Sequence, residues 1–240
     1  MNDHIEGYIL GSVRELDRRQ NLELLKTMLP SFVYEEAIYP EYVKVPFINR
    51  IKELAGQRTG HTMNSGEIGC LLSHRKIWKK IASHTEGNAR MFMVLESDSS
   101  IRDINIVSKN FEKVSKDFDL FFWGAWEGHM KLFRSSKKIL SGNYRVGEPF
   151  IKTVYCTYGY SLNRAAAIHL LKKTRKAGYT VDQFKRFIHK GDLRIGGVMP
   201  ELITTTGRKS SYIQKNRNRV KEFFVWLLLD CKNTLICLLK

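Results

Sequence analysis

The chain has 240 residues, of which 43% are hydrophobic and 11% aromatic, and no low-complexity linker divides it, so we expect one domain with a sizeable core. Its formal net charge is +16, but residues 1–130 hold 17 Lys and Arg against 18 Asp and Glu, whereas residues 131–240 hold 23 against 6. Such asymmetry indicates an anionic partner, for which nucleic acid, an acidic membrane surface and a phosphorylated substrate are the candidates.

Cysteine usage and motif content argue against several classes of protein. The four cysteines are scattered and form no C-x-x-C pair, and the N-terminal Met-Asn-Asp-His-Ile-Glu lacks the basic and apolar regions of a signal peptide. No G-x-G-x-x-G, Walker A or zinc-ligand spacing occurs, which argues against dinucleotide-binding, P-loop and zinc-finger proteins. We therefore expect a chain that is made and kept in the reducing cytoplasm.

The N-terminal region predicts a strand, a loop and a helix. Gly7–Leu10 is a short apolar run, and apolar residues at helical spacing follow at positions 22, 25, 28 and 29. The loop and the helix start carry Arg14, Arg18 and Arg19, which are placed to meet a nucleotide diphosphate, although arginines in a first helical turn are more often solvated. Phe32–Tyr34 and Ala37-Ile38 predict a second short strand, and irregular chain with Pro40 and Pro46 follows it.

A long helix is predicted next. Asn64 or Ser65 is expected to be its N-cap, Glu67 lies in its first turn, and the helix is expected to run to about Ser83. Its apolar positions recur at three- and four-residue spacing and are Ile68, Leu71, Leu72, Trp78 and Ile81. His74 shares their face, where a histidine is more often a hydrogen-bonded core residue than a catalyst.

The most informative stretch changes from an apolar run to acids within one step of the chain. Met91–Leu95 predicts a buried strand, and Glu96-Ser97-Asp98 lies where that strand emerges. Residues two apart in extended chain face the same side, so Glu96 and Asp98 can point into one cleft. Paired carboxylates there can hold magnesium, manganese or calcium, and the alternative is a solvated turn.

Strands and helices continue to alternate in the second half. Phe118–Trp123 predicts a central strand, and Glu127 follows it, either at the edge where an open sheet binds ligands or in a plain surface loop. Thr153–Leu162 predicts another strand. The helix after it is expected to be capped by Asn163 and to end at Gly178.

Asp182 is predicted to be the N-cap of a helix over Gln183–His189, so it has a structural role before any function is considered. Gly196–Ile203 predicts a last extended segment. The alternation of strands and helices in a single domain predicts an α/β fold with a mostly parallel central sheet.

Part of the chain resembles a known family. Three parts of the chain are similar to the core signature of the family 25 glycosyltransferases, which are known from lipopolysaccharide biosynthesis. They are the segment from Ser65 to His74, the residue Trp78, and the run Met-Val-Leu-Glu-Ser-Asp98. A weaker likeness extends it over most of residues 7–213. This chain departs from the family at one position, because the family usually shows Glu-Asp-Asp where Ser97 here is the middle residue.

The resemblance implies a GT-A-like, Rossmann-like domain over residues 1–207, with transfer of a sugar, often galactose from UDP-galactose. It implies a divalent metal, Mn²⁺ or Mg²⁺, held by Asp98, with Glu96 supporting the metal or the ribose. Tyr8, Arg14 and Ser97 are the further residues that it implies for donor binding.

The same resemblance implies transfer with inversion at the sugar. A carboxylate on the opposite face of the sugar must then remove the proton of the acceptor hydroxyl, because an alcohol is a poor nucleophile at neutral pH. Asp182 and Glu127 are the candidates, with Asp182 preferred because it matches a later acid of the family. His74 would orient the substrate or these carboxylates.

Residues 208–240 form a basic and apolar C-terminal tail. Its first part contains six cations and no acid, namely Arg208, Lys209, Lys215, Arg217, Arg219 and Lys221. The apolar runs Phe223–Leu229 and Leu235–Leu239 follow and are too short and interrupted to cross a bilayer as one helix. They favour a helix lying in the interface, with Trp226 near the headgroups on the inner face of the cell membrane. The alternative is a helix packed on the domain or on a second subunit.

These observations predict a metal-dependent glycosyltransferase that acts at the membrane surface on a lipid-linked saccharide of a lipopolysaccharide, a lipooligosaccharide or another surface glycan. Two alternatives stay open. Ser97 in place of an acid is compatible with an inactive family member that serves as a scaffold. The basic charge is compatible with a nucleic-acid-binding protein, although no recognised RNA- or DNA-binding motif occurs and no nucleic acid partner is expected.

Overall fold

The computed structural model describes residues 5–85, 90–176, 178–206 and 219–240, with the side chains of all these except 126 and 219–227. The strands are β1 (Gly7–Gly11), β2 (Phe32–Glu36), β3 (Met91–Glu96), β4 (Ser99–Ile101), β5 (Leu120–Phe122), β6 (Lys138–Ser141), β7 (Tyr144–Gly147), β8 (Gly159–Asn163), β9 (Ile195–Met199) and β10 (Ile203–Thr205). The helices are α1 (Arg19–Met28), α2 (Ile48–Thr59), α3 (Ser65–Ser83), α4 (Ile104–Asp117), α5 (Arg164–Lys173), α6 (Phe184–Phe187) and α7 (Arg219–Leu239).

Within the described ranges, eight strands form one sheet in the order β2-β1-β3-β8-β5-β9-β7-β6. The pairs β1–β2, β1–β3 and β5–β9 are parallel, whereas β8 runs antiparallel to both β3 and β5, and β7 to both β9 and β6. Six of these strands therefore point in one direction, and β7 and β8 run against them. The predicted α/β fold with a mostly parallel sheet is confirmed.

Helices cover both faces of the sheet, so the strands are buried on both sides. On β3, Phe92 and Val94 pack into the core beneath α3 and α5, whereas Met93 and Leu95 pack into the core beneath α1 and α4. All five residues of the run from Met91 are at most 3% exposed. This two-sided burial explains why the strand is continuously apolar in sequence instead of alternating.

The helix α3 begins at the residue that its sequence predicts. The Asn64 side chain accepts a hydrogen bond from the Glu67 amide at 2.9 Å, and the Glu67 carboxylate accepts one from the Asn64 amide at 2.8 Å. This capping box satisfies two of the amides that a helix start leaves without partners. The predictions for β1, β3 and α3 are confirmed.

Several predicted boundaries in the second half are wrong. The helix α5 is capped by Asn163 as expected but ends at Lys173, before Gly178. Only Gly159–Asn163 of the segment from Thr153 is a strand. The residues before it include a 3-10 turn and Cys156 in the left-handed region, at φ 67°, which no regular strand adopts.

The predicted N-cap role of Asp182 is also wrong. The helix α6 has four residues instead of seven, its N-cap is Gln183, and no side chain caps it. The Asp182 carboxylate instead accepts a hydrogen bond from the Thr180 hydroxyl at 2.6 Å. Its role must therefore be sought elsewhere than in the start of a helix.

A short two-stranded ribbon brings the chain after β9 back to the chain after β3. In this ribbon β10 pairs antiparallel with β4, and the Thr206 amide then donates to the Asp98 carbonyl at 2.8 Å. Gly124 allows the close approach, because a Cβ there would lie 1.7 Å from the carbonyl oxygen of Ile203. The ribbon fixes the segment that carries Asp98 over the edge of the main sheet.

The C-terminal helix α7 packs on the domain. It continues through the polar residues 230–233, which the sequence predicts as an interruption. The Lys131 ammonium lies 3.0 Å from the Asp230 carboxylate, and Cys237 is buried. Arg208, Lys209, Lys215, Arg217 and the side chains of Arg219, Lys221 and Trp226 lie outside the described residues. Among the helices that can be described, none is long and apolar enough to cross a membrane.

Candidate active site

The candidate site lies at one edge of the main sheet. The strands β1, β3, β5 and β9 run in the same direction, so their carboxyl ends meet at this edge. Ligands of open α/β sheets bind outside the carboxyl ends of the strands. Glu96 ends β3 there, and Ser97 and Asp98 form the turn that follows it. The Asn21 side-chain amide holds this turn by donating to the carbonyls of Ser97 at 2.7 Å and Ser99 at 2.9 Å.

A chain of buried hydrogen bonds ends at Glu96. The Trp78 indole donates to the Tyr160 hydroxyl at 2.8 Å, and that hydroxyl lies 2.9 Å from Nδ1 of His74. Nε2 of His74 lies 3.2 Å from Oε1 of Glu96. Because an indole N–H only donates, Tyr160 accepts from Trp78 and gives its own hydrogen to Nδ1. A neutral His74 then carries its hydrogen on Nε2 and donates it to Glu96.

Glu96 remains charged in this setting. Burial raises its pKa, but the hydrogen bonds from His74 and from the Thr157 hydroxyl, together with the charge of Arg18, lower the pKa below its ordinary value. Burial raises the pKa of the neighbouring Cys70 thiol well above its ordinary value, and the Glu96 charge raises it further. Cys70, His74 and Glu96 have ligand atoms within 4.8 Å of one another. A protonated thiol and a histidine with both nitrogens hydrogen-bonded account for this cluster without a metal.

Asp98 lies beside the guanidinium of Arg18, whose Nη2 is 2.9 Å from Oδ2. Burial and the charge of Glu96 raise the pKa of Asp98 to about 6, against the lowering effect of Arg18. Its other oxygen, Oδ1, is buried and accepts no hydrogen bond from any described residue. A buried carboxylate oxygen of this kind is costly unless a partner binds it. Asp98 and Glu96 therefore fit a divalent cation, which prefers carboxylate oxygens.

The middle residue of the motif faces a different carboxylate. Ser97 is 1% exposed, and its hydroxyl donates to Oε2 of Glu15 at 2.7 Å. Glu15 is also buried and accepts hydrogen bonds from the Tyr39 hydroxyl at 2.6 Å and the Ser12 amide at 3.3 Å. Arg18 lies 3.3 Å from it. Glu15 thus supplies a negative charge next to the position where the family motif carries its middle acid.

The two candidate bases occupy different settings. Burial raises the pKa of Asp182, and the charges of Glu96 and Glu67 raise it further, against the hydrogen bond from Thr180. Asp182 is thus close enough to interact with the Glu96 cluster. Glu127 is exposed and stands in the left-handed region, at φ 49°.

The structure does not bring Tyr8 or Arg14 to Asp98. Tyr8 is buried in the core, with its hydroxyl 3.4 Å from Nε2 of His84 at the far end of α3. That end lies roughly 15 Å along the helix from His74. Arg14 is exposed and stacks on the Tyr42 ring, with its guanidinium carbon 4.4 Å from the ring centre. Of the arginines in this loop, Arg18 is the one that contacts Asp98.

Two residues of this site, Glu15 and Thr157, have no role predicted from the sequence. Glu15 lies in a loop whose charges look solvated, and the pattern gives no sign that it is buried. Thr157 lies in the segment predicted as a strand, where β-branched residues usually belong to the core. Their contacts in the fold identify them, since Glu15 accepts from Ser97 and Thr157 donates to Glu96.

Comparison with known proteins gives matches to one family. The profile of "Glycosyltransferase family 25 (LPS biosynthesis protein)" matches residues 13–185. The chain is 28% identical over 130 residues to Procollagen galactosyltransferase 1-B of Xenopus laevis, a match that covers 50% of this chain and 21% of that protein. It is 23% identical over 226 residues to a Haemophilus influenzae protein named "Putative glycosyltransferase", a match that covers 89% of this chain and 77% of that protein.

The hydrogen bond between Ser97 and Glu15 can be tested by its contribution to stability. Ser97→Asp places a second buried carboxylate against Glu15, so we expect a loss of about 2 kcal/mol or more in the free energy of unfolding. The double variant Glu15→Gln/Ser97→Asp again combines one carboxylate with one donor and should recover most of that loss. Urea unfolding of the wild type, both single variants and the double variant measures the coupling.

The matched control is Ser135→Asp, which adds the same charge at an exposed serine. It should leave the free energy of unfolding within about 0.5 kcal/mol of the wild type. If the two single substitutions add within about 0.5 kcal/mol, Ser97 and Glu15 do not interact as described.

Proposed function

The chain belongs to glycosyltransferase family 25, and on that premise we propose that it transfers a sugar, galactose from UDP-galactose in the first instance, to a saccharide of a bacterial surface glycan. The galactose assignment is supported by the name of the Xenopus relative and the acceptor class by the description of the family. The observation that carries the proposal is the buried carboxylate pair Glu96 and Asp98, with one oxygen of Asp98 left to bind a cation.

Asp98 and Glu96 would hold the metal, Mn²⁺ or Mg²⁺. When bound, such an ion neutralises the charge that the departing diphosphate gains. The hydrogen bond from His74 keeps the Glu96 carboxylate oriented and charged, so that it can bind the ion. Arg18 adds a guanidinium next to Asp98, within the same corner of the site.

Transfer with inversion needs a base on the face of the sugar opposite the leaving group. Asp182 is the preferred base, because burial and nearby carboxylates raise its pKa and so bring it nearer to the pH at which it must accept a proton. Glu127 is the second candidate, since it follows β5 at the same edge of the sheet. Ser97 stands where the family carries an acid, but the Glu15 carboxylate lies next to it and supplies a negative charge in place of that acid. The main argument for an inactive scaffold is the loss of this charge, so that alternative is weakened.

The helix α7 supports attachment to a membrane surface. One side of it is held to the domain through Asp230 and Cys237. Five leucines on it are 48% exposed or more, namely Leu228, Leu229, Leu235, Leu238 and Leu239. Exposed apolar side chains next to a basic segment are typical of helices that lie in the interface of an anionic membrane. Such a location would suit a lipid-linked acceptor on the cytoplasmic face.

The donor and the metal are tested with a panel of UDP-, GDP-, CMP- and dTDP-sugars, each with Mn²⁺, Mg²⁺ or a chelator. We expect metal-dependent turnover with UDP-galactose, and we expect Asp98→Asn to lower kcat by about a hundredfold or more because the cation loses a charged ligand. Asp117→Asn makes the same chemical change on the surface and should leave turnover intact. Equal turnover with and without chelator, or full activity of Asp98→Asn, would reject the metal site.

The base is tested by two isosteric variants. Asp182→Asn should lower kcat by about a hundredfold or more, with little change in the binding of UDP, because only proton removal is lost. Glu127→Gln should leave kcat within about tenfold. The reverse pattern would move the role of base to Glu127, and two nearly unaffected variants would contradict an inverting mechanism through either carboxylate.

Membrane attachment is tested by sedimentation with vesicles. The wild-type chain should sediment with phosphatidylglycerol-containing vesicles, less so as salt rises, and weakly with phosphatidylcholine alone. Leu235→Gln/Leu239→Gln should bind about tenfold more weakly, because each leucine contributes apolar area. Ile139→Gln, at an exposed isoleucine elsewhere, is the control. Equal binding by the variant would reject this role of α7, and conversion of a dimer to a monomer would assign these leucines to a subunit contact.

A further inference from the structure

A cavity lies at the same edge of the sheet as the carboxylates but closer to β9. It has a volume of about 390 Å³, within the range of small-molecule sites. Its lining comes from the end of β9 and the two residues after it, from β7 and the turn before it, from the residue before β6, from the loop after β5 and from the residue after β4. The lining residues are Arg102, Gly128, Lys137, Asn143, Arg145, Met199, Pro200 and Glu201.

The lining of this cavity is cationic. Among the described residues that line it, the cations Arg102, Lys137 and Arg145 face one carboxylate, that of Glu201. Glu201 is 2% exposed and already has partners, since it accepts from the Tyr158 hydroxyl at 2.8 Å and lies 3.4 Å from Nη2 of Arg102. Glu201 thus offsets at most one of the three cations. The remaining positive charge favours an anionic ligand.

Two of the cations are placed to bind such a ligand. Arg145 donates through Nη1 to the carbonyls of Gly142 at 2.8 Å and Tyr144 at 3.3 Å, which hold the guanidinium in place. A guanidinium has five N–H groups, so its other nitrogens can still donate. Within the described residues Lys137 forms no ion pair, and it stands beside Arg145 in the wall of the cavity.

The cavity is separate from the carboxylate pair. In the sheet β9 lies three strands from β3, so the two sites are roughly 14 Å apart at the usual spacing of strands. Asp98 and Arg102 are nevertheless joined by β4, and both sites open at one edge. A saccharide of more than one unit can therefore reach from one to the other.

A candidate base is tied to this cavity. The Tyr158 hydroxyl donates to Glu201 and accepts from the backbone amide of Glu127 at 2.9 Å. This bond helps to hold Glu127 in a left-handed conformation that non-glycine residues seldom adopt. Gly128, the next residue, lines the cavity. A ligand in the cavity would thus lie against a loop whose shape is fixed.

We propose that this cavity binds an anionic sugar of the acceptor, one that carries a phosphate or a carboxylate group, with Lys137 and Arg145 as its main contacts. The proposal rests on the proposed function in calling the ligand an acceptor. It assigns a substrate class to the part of the edge near β9, away from Glu96 and Asp98.

The test measures binding of three probes to the full chain by calorimetry, namely glucose 6-phosphate, glucuronate and glucose, with the donor site saturated by UDP. At least one anionic probe should bind and glucose should not. Lys137→Glu and, separately, Arg145→Gln should weaken binding of the anionic probe by about tenfold or more. Lys138→Glu, at the exposed neighbouring lysine that does not line the cavity, should not.

The anion that binds more tightly identifies the group as phosphate or carboxylate. Binding of glucose as tight as that of the anions, or unchanged binding to both variants, would overturn the proposal. Loss of UDP binding in these variants would do the same, because the cavity would then belong to the donor. Failure of every nucleotide sugar to react would reject the proposed function alone, since binding of glucose 6-phosphate is measured independently of turnover.

Discussion

A charged carboxylate can lie at the end of a buried strand only where hydrogen-bond donors and counter-charges replace the water that it has lost. Glu96 meets this condition through His74 and Thr157, and Tyr160 and Trp78 hold His74 in the tautomer that donates. The stability of the Glu96 charge therefore depends on the fold, because α3 must place His74 and Trp78 one helical turn apart on the face that packs on the sheet. The strand β8 must also pair with β3 in the register that puts Tyr160 beneath them.

Negative and positive side chains occupy different parts of the sheet edge. At the ends of β1 and β3, the buried carboxylates of Glu15 and Asp98 both lie next to the guanidinium of Arg18. Near the end of β9, three cations collect around the single carboxylate of Glu201. Like charges are costly to assemble without a partner, so each group favours a ligand of opposite sign. The two halves of the edge are thus suited to a cation and to an anion.

Local patterns were sufficient to predict the central elements, and contacts between distant residues were not. The capping box of α3 and the unbroken apolar run of β3 are signals within a few residues, and both elements form as expected. Glu15 could not be recognised, since its partners Ser97 and Tyr39 are 82 and 24 residues away. The predicted N-cap role of Asp182 is wrong because an N-cap depends on where a helix begins. The helix α6 has only four residues, too few for its start to be recognised in the sequence.

The hydrogen bond from the Thr206 amide to the Asp98 carbonyl connects the candidate site to the last described residue before the C-terminal tail. The chain leaves the sheet beside the candidate metal ligands, and the basic segment that leads to α7 follows directly. Because α7 is itself packed on the domain through Asp230 and Cys237, a surface that binds its exposed leucines also sets the tilt at which the carboxylates face an acceptor. A change in the packing of α7 would therefore reorient the carboxylates without replacing a residue of the site.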